Sequence, residues 1–142
     1  YNDRHGHEAG NALLRGNAEA VASACRKSDR VYRYGGDEFC LILARTGLED
    51  AMDVADRVRT AIRSVRGSGR RAAGMRCSVG VATFPGDAEV PEELLLAADR
   101  ALYAAKRAGR DRVATAAEGL ALATEFVRPP TPVDEMGPAP AS

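Results

Sequence analysis

The 142-residue chain has no surplus of charge of either sign, its 20 Lys and Arg being matched by 20 Asp and Glu. That excludes broad electrostatic affinity for nucleic acid or for an anionic membrane, so any polyanion must be small and held by a few placed residues. No apolar run approaches the roughly 20 residues needed to cross a bilayer, and no signal-peptide pattern occurs in this stretch. Cysteine is scarce and odd in number: Cys25, Cys40 and Cys77 sit in apolar surroundings and form no Cys-x-x-Cys pair. This argues against a disulfide framework and against zinc, and for buried free thiols in a reducing compartment.

What is present reads as one domain in which helix and strand signals alternate, as an α/β chain requires. A first helix is expected from about Glu8 to Cys25, burying Leu13, Leu14 and Val21, with Gly10 and Gly16 weakening it. Thr46-Gly47-Leu48-Glu49 has the form of a capping box. After it Ala51, Val54, Ala55, Val58, Ile62 and Val65 mark one apolar stripe opposite a charged face. Arg66 to Arg71 reads as a solvated basic loop, Met75 to Phe84 as a strand, and Pro85-Gly86-Asp87 as a turn. Pro91 suits the first turn of a helix that faces Leu94, Leu95, Ala98, Leu102 and Ala105 to the core and stops at Gly109. A short strand over Arg112 to Ala114 closes the sheet. Beyond about Thr115 the pattern decays, and Pro129, Pro130, Pro132, Pro138 and Pro140 punctuate a tail expected to be disordered or a linker from Arg128.

One segment carries chemistry. Val31-Tyr32-Arg33-Tyr34 and Phe39-Cys40-Leu41-Ile42-Leu43 are strand-forming runs around Gly35-Gly36-Asp37-Glu38, which predicts a hairpin with the glycine pair at the turn positions. Without Cβ atoms at Gly35 and Gly36 a polyphosphate can approach the backbone and accept from its N–H groups. Asp37 and Glu38 add hard oxygen ligands of the kind magnesium takes together with substrate phosphates. An acidic hairpin tip kept polar for solubility is the plain alternative.

The segments around this tip decide between the two. Arg33 to Phe39 resembles the signature loop of the GGDEF family, the diguanylate cyclases. Upstream, Asn2-Asp3-Arg4-His5-Gly6-His7-Glu8-Ala9-Gly10-Asn11 is similar to a family segment, and Arg26-Lys27-Ser28-Asp29 to its Arg-x-x-Asp inhibitory site. Downstream, Cys77 to Ala82 resembles a core strand, and Ala98 to Asp111 the closing helix and turn. The matches run in order over roughly residues 1–115.

The resemblance implies an α/β (α+β) fold, an antiparallel-containing central sheet flanked by helices, of the nucleotide-cyclase or polymerase-palm-like (ferredoxin-like) kind. It divides the chain into a GGDEF domain over 1–115, an extension over 116–127 and the Pro-rich tail over 128–142. In the family the strand preceding this region supplies a metal-ligating aspartate and a central strand. Because the chain opens in mid-motif at Tyr1, that first strand is expected to be missing, leaving half of a magnesium site.

The implied activity is condensation of two GTP into cyclic di-GMP and two pyrophosphates across a homodimer of facing domains, with Mg2+ (or Mn2+). Asp37 and Glu38 are the implied catalytic and metal-binding residues, their roles undivided by sequence because both titrations couple through one ion. Asn2, His7 and Asn11 are the implied guanine contacts, Gly35, Gly36, Lys106 and Arg110 the phosphate contacts, and Arg26 with Asp29 the product-inhibition site. Taken alone, Lys106 and Arg110 also read as a solvated basic helix end, and Arg26 with Asp29 as a surface salt bridge. Asn11 departs from the family's usual aspartate. A carboxylate accepts both guanine-edge donors, whereas an amide accepts one and opposes the other, a mismatch of about 1–3 kcal/mol if buried. The alternative is a non-catalytic domain that binds cyclic di-GMP or serves in dimerisation and signalling. Nucleic acid and membrane contact are not expected from this segment, and GTP with reduced thiols points to the cytoplasm, compatible with a membrane anchor elsewhere in a longer polypeptide.

Overall fold

A computed structural model describes residues 4–65 and 75–126. Asn2, the basic loop of 66–71 and the tail from Arg128 lie outside the described residues. The elements run α1 (Arg4–Ala24), β1 (Arg30–Gly35), β2 (Glu38–Ile42), α2 (Leu48–Ser64), β3 (Val79–Val81), α3 (Pro91–Arg107), β4 (Val113–Thr115) and α4 (Ala116–Phe126). The chain is thus mixed α/β. No described helix is long and apolar enough to span a membrane.

Two ladders are formed. β1 and β2 pair antiparallel with Tyr32 opposite Cys40, and β3 and β4 pair parallel with Gly80 opposite Ala114. Where one continuous sheet was expected, the described strands form two two-stranded ladders with no backbone pairing between them. Side chains of α2 make the connection instead. Val54, Val58 and Ile62 pack with Val21 of α1 and with Val31, Leu41, Leu43 and Cys77, while Ala51 and Ala55 pack with Val81, Val79, Val113 and again Leu43. Each such buried branched side chain contributes roughly 1.5–3 kcal/mol over leaving it exposed. The helix carries Glu49 and Asp50 in its first turn and Arg63 in its last, favourable to its dipole.

The strand expected over Met75–Phe84 is confined to Val79–Val81. Met75 and Cys77 still pack against the α1/α2 core, so their side chains occupy the inward positions that alternation predicts although the backbone there forms no ladder. Past Val81 the chain turns. The Asp87 carboxylate accepts from the Thr83 N–H at 2.7 Å and from its hydroxyl at 3.1 Å, which closes the Pro85-Gly86-Asp87 turn before Phe84 can join a strand.

α3 begins at Pro91 and buries Ala105 as expected, with Leu94, Ala98 and Leu102 half-buried, but its fully buried face is made of alanines. Ala101, Ala104 and Ala105 are buried, whereas Leu95 and Leu96 are exposed. The reason is close approach on two sides. A Cβ at Gly80 would lie 2.3 Å from the Ala98 carbonyl oxygen and the Leu102 nitrogen, and one at Gly119 of α4 would lie 2.7 Å from the Ala101 nitrogen. Backbone meets backbone there, and only small residues fit. Where the pattern decays after Thr115 the structure places α4, which packs on α3.

The expected Thr46 cap does not form. Gly47 holds the N-cap position of α2, and the Thr46 hydroxyl donates to the Ala44 carbonyl at 2.9 Å while accepting from Arg26 at 2.7 Å. The cysteines are free, as expected, but half-buried rather than buried. Burial is the main cause raising each thiol above its ordinary value.

Candidate functional site

The hairpin tip is built from two residues, Gly36 and Asp37, between Gly35 of β1 and Glu38 of β2. Gly36 alone has a positive φ, +51°, so the turn pair is displaced by one residue from the expected Gly35-Gly36. A register shift between Arg33 and Gly35 accommodates the displacement, and the Arg33 guanidinium donates to the Gly36 carbonyl at 3.0 Å. No heavy atom beyond the chain neighbours comes within 4 Å of a Cβ position at either glycine. The tip is therefore open, and Asp37 and Glu38 are both exposed on it.

α3 brings a cation to this tip. Lys106 Nζ lies 3.6 Å from Glu38 Oε1, with 39% and 46% of the two side chains exposed. A pair so exposed adds little stability; its significance is placement. Arg110 follows where α3 ends: after the last helical bond, from the Ala108 N–H to the Ala104 carbonyl at 2.9 Å, the Arg110 N–H makes the 6→1 bond of a Schellman-type end to the Ala105 carbonyl at 3.0 Å. Gly109, Arg110 and Asp111 all have positive φ, +112°, 64° and 47°.

Arg26 and Asp29 lie at the opposite end of β1, about 17 Å along the strand from the tip at ~3.3 Å per residue. The Asp29 side chain is fully buried. Its Oδ2 accepts from the Arg26 backbone N–H at 2.8 Å and lies 3.6 Å from the Arg26 Nε, while its Oδ1 has no hydrogen-bond partner. With the Asp29 N–H bonding the Arg26 carbonyl at 3.0 Å, the pair closes the turn between α1 and β1. Arg26 itself is 56% exposed. His7 and Asn11 are exposed on α1, four residues apart and so on one face. The structure thus joins Glu38 with Lys106 and Arg26 with Asp29, and carries His7 and Asn11 on a separate helix.

Sequence reasoning passed over a further charged cluster. Asp111 is held by α2: Arg59 Nη1 donates to its carboxylate and to its backbone carbonyl, each at 3.4 Å, and Arg63 Nη2 donates to the other carboxylate oxygen. The hydrogen bond from Arg63 is the main cause holding the Asp111 carboxyl below the usual range. Arg59 also bonds Asp56 at 2.9 Å, and Arg112 bonds Glu118 at 2.8 Å. The available signal was the four-residue spacing of Arg59 and Arg63 on the charged face of α2.

Residues 1–112 match the family described as diguanylate cyclase, GGDEF domain. The chain belongs to the GGDEF family. Over 118 residues it is 40% identical to the response regulator PleD of Caulobacter vibrioides, covering 79% of this chain and 25% of that protein. Over 115 residues it is 40% identical to the diguanylate cyclase DgcM of Escherichia coli, covering 81% of this chain and 27% of that protein. This GGDEF chain therefore spans about a quarter of the length of these curated relatives. Among solved structures, the GGDEF domain of TpbB (YfiN) from Pseudomonas aeruginosa superposes with a TM-score of 0.76 at 35% identity, covering 86% of this chain and 73% of that one. The GGDEF domain of DgcB from Caulobacter crescentus, solved in complex with c-di-GMP, gives 0.65 at 26% identity, covering 79% and 67%. The fold is that of the GGDEF domains, the nucleotide-cyclase palm-like arrangement.

Asp37 and Glu38 fit a hard divalent cation by the chemistry of their donors. Two exposed carboxylates beside an open glycine turn leave room for water and phosphate oxygens, which Mg2+ keeps in its shell. Among the described residues no group of three or more His, Cys, Asp or Glu side chains gathers around a metal position.

Proposed function

We propose that this GGDEF domain forms half of a diguanylate cyclase, which condenses two GTP into cyclic di-GMP with release of two pyrophosphates across a homodimer in the cytoplasm. The observation that carries the reading is the open Gly36-Asp37 turn with Glu38 paired to Lys106 at 3.6 Å, since carboxylates for a metal and a cation for phosphate converge where a polyphosphate can reach the backbone.

Each residue then has a task. Asp37 and Glu38 hold Mg2+ or Mn2+, and Asp37 accepts the proton of the attacking 3′-hydroxyl. The bound ion supplies charge neutralisation on the phosphates. Lys106 and Arg110 bind phosphate oxygens, so that catalysis is mainly positioning and electrostatic stabilisation. Asn2, His7 and Asn11 take the guanine. Arg26, being accessible, takes the product at the inhibitory site, while Asp29 fixes the turn that carries it.

The test is cyclic di-GMP synthesis by the full-length protein. Asp37→Ala and Glu38→Ala should each lower kcat by about 100-fold or more, and unchanged synthesis would sink the assignment. Asn11 favours a second reading, a non-catalytic domain in cyclic di-GMP signalling, because one amide cannot satisfy both guanine donors. Under the catalytic reading Asn11→Asp should strengthen the preference for GTP over ATP by roughly tenfold, the equivalent of one buried mismatch. Equal preference in the two proteins would remove Asn11 from the guanine site.

A further inference from the structure

Arg110 is an unusual residue to find in the left-handed region. Non-glycine residues with positive φ are uncommon, and a long unbranched cation gains nothing locally there, whereas Asp and Asn tolerate it through short polar side chains. Here Arg110 at 64° is followed by Asp111 at 47°. The stretch from Arg110 to Arg112 is pinned at both ends. On one side the Arg110 N–H closes α3 on the Ala105 carbonyl at 3.0 Å; on the other the Arg112 carbonyl accepts from the Val79 N–H at 2.9 Å, the first bond of the β3/β4 ladder. Between the two anchors the chain must reverse within a few atoms, and a third anchor comes from outside. Arg59 grips the Asp111 carboxylate and carbonyl, and Arg63 takes the remaining carboxylate oxygen. The Asp111 side chain is only 14% exposed.

We infer that Asp111 is a positioning residue for Arg110: gripped by Arg59 and Arg63 of α2, it holds the left-handed turn at the end of α3 and so fixes the backbone from which Arg110 reaches the phosphate. This rests on the proposed phosphate role of Arg110. Glycine or asparagine at 110 would satisfy the same backbone with less strain, so an arginine there indicates that its side chain is required. Asp111 in turn supplies what no hydrogen bond of Arg110's own backbone does, a fixed link from the turn to a separate helix. A clamp that merely tied α2 to β4 would stabilise the fold without distinguishing GTP binding from turnover.

The experiment is steady-state GTP kinetics of the full-length protein with Asp111→Ala, Asp111→Asn, Arg63→Ala, Arg110→Ala and the double variant Asp111→Ala/Arg110→Ala. Asp111→Ala is expected to raise KM for GTP about tenfold, the loss of one well-placed charge-assisted contact, with a much smaller change in kcat. Asp111→Asn, which keeps the left-handed preference and one acceptor, should recover most of that loss. Adding Asp111→Ala to Arg110→Ala should raise KM no further. Should Asp111→Ala fail to fold, Arg63→Ala opens the same clamp from a half-exposed side chain and carries the same readout. If Arg110→Ala raises KM but Asp111→Ala does not, or if the two effects multiply in the double variant, the positioning role is overturned and the phosphate role of Arg110 stands. If Arg110→Ala leaves KM unchanged, the phosphate role itself fails and the positioning role with it.

Discussion

Gly36 and the pair Gly80 and Gly119 occupy opposite environments. At the hairpin tip a Cβ would meet nothing within 4 Å, while at Gly80 it would strike the α3 backbone at 2.3 Å and at Gly119 at 2.7 Å. The first glycine is needed for its φ of +51°, the others for their lack of bulk. One region is open and charged, with both carboxylates exposed; in the other each glycine presses directly on the α3 backbone. Substitution of the same residue type should therefore damage function in the first and folding in the second.

The largest expected effect is at the closed region. Gly80→Ala should destabilise the β3–α3–β4 unit by about 3 kcal/mol, since neither α3 nor β3 can move aside without breaking the ladder. Hydrogen exchange at the Ala101, Ala104 and Ala105 amides should then accelerate roughly a hundredfold; unaltered exchange would show that the helix slides. At the tip, Gly36→Ala should cost about 1 kcal/mol through its positive φ alone, with Gly36→Asn recovering most of it in urea titrations. A loss at Gly36 equal to that at Gly80 would erase the distinction between the regions. The smallest effect concerns Asp111. Its folded carboxyl lies below the ordinary value because of Arg63, so its contribution is complete above about pH 4 and is lost as pH falls through the folded value. Asp111→Asn should flatten the acid limb of the urea midpoint against pH and leave the slope above about pH 5 unaltered.

Periodicity and turn chemistry made much of this legible. The α2 stripe from Ala51 to Ile62 is buried as the spacing predicts, and the hairpin forms where two strand-like runs flank glycine. Hydrophobicity, however, registers what is apolar and not what must be small. Leu95 looks like core and is exposed, while Ala101, absent from the expected core face, is fully buried where two backbones crowd α3. The Thr46 cap failed because its hydroxyl found Ala44 and Arg26 first. In the candidate site, Asp37, Glu38 and Lys106 were named from sequence and lie at the tip; the clamp on Asp111 was not, since it joins residues 52 positions apart. Asp29, expected at a ligand site, has its carboxylate turned into its own turn, a distinction between presenting a charge and consuming it that composition does not carry.

The backbone contacts on both sides of α3 also have a mechanical consequence. Flexible side chains between two elements act as a cushion, absorbing small displacements by changing rotamer; Gly80 and Gly119 place none at their own crossings of α3. The last turn of α3 carries Lys106, which lies beside the carboxylate of Glu38. Those two crossings set how deeply α3 is seated in the domain, and with it the height from which Lys106 meets the hairpin tip.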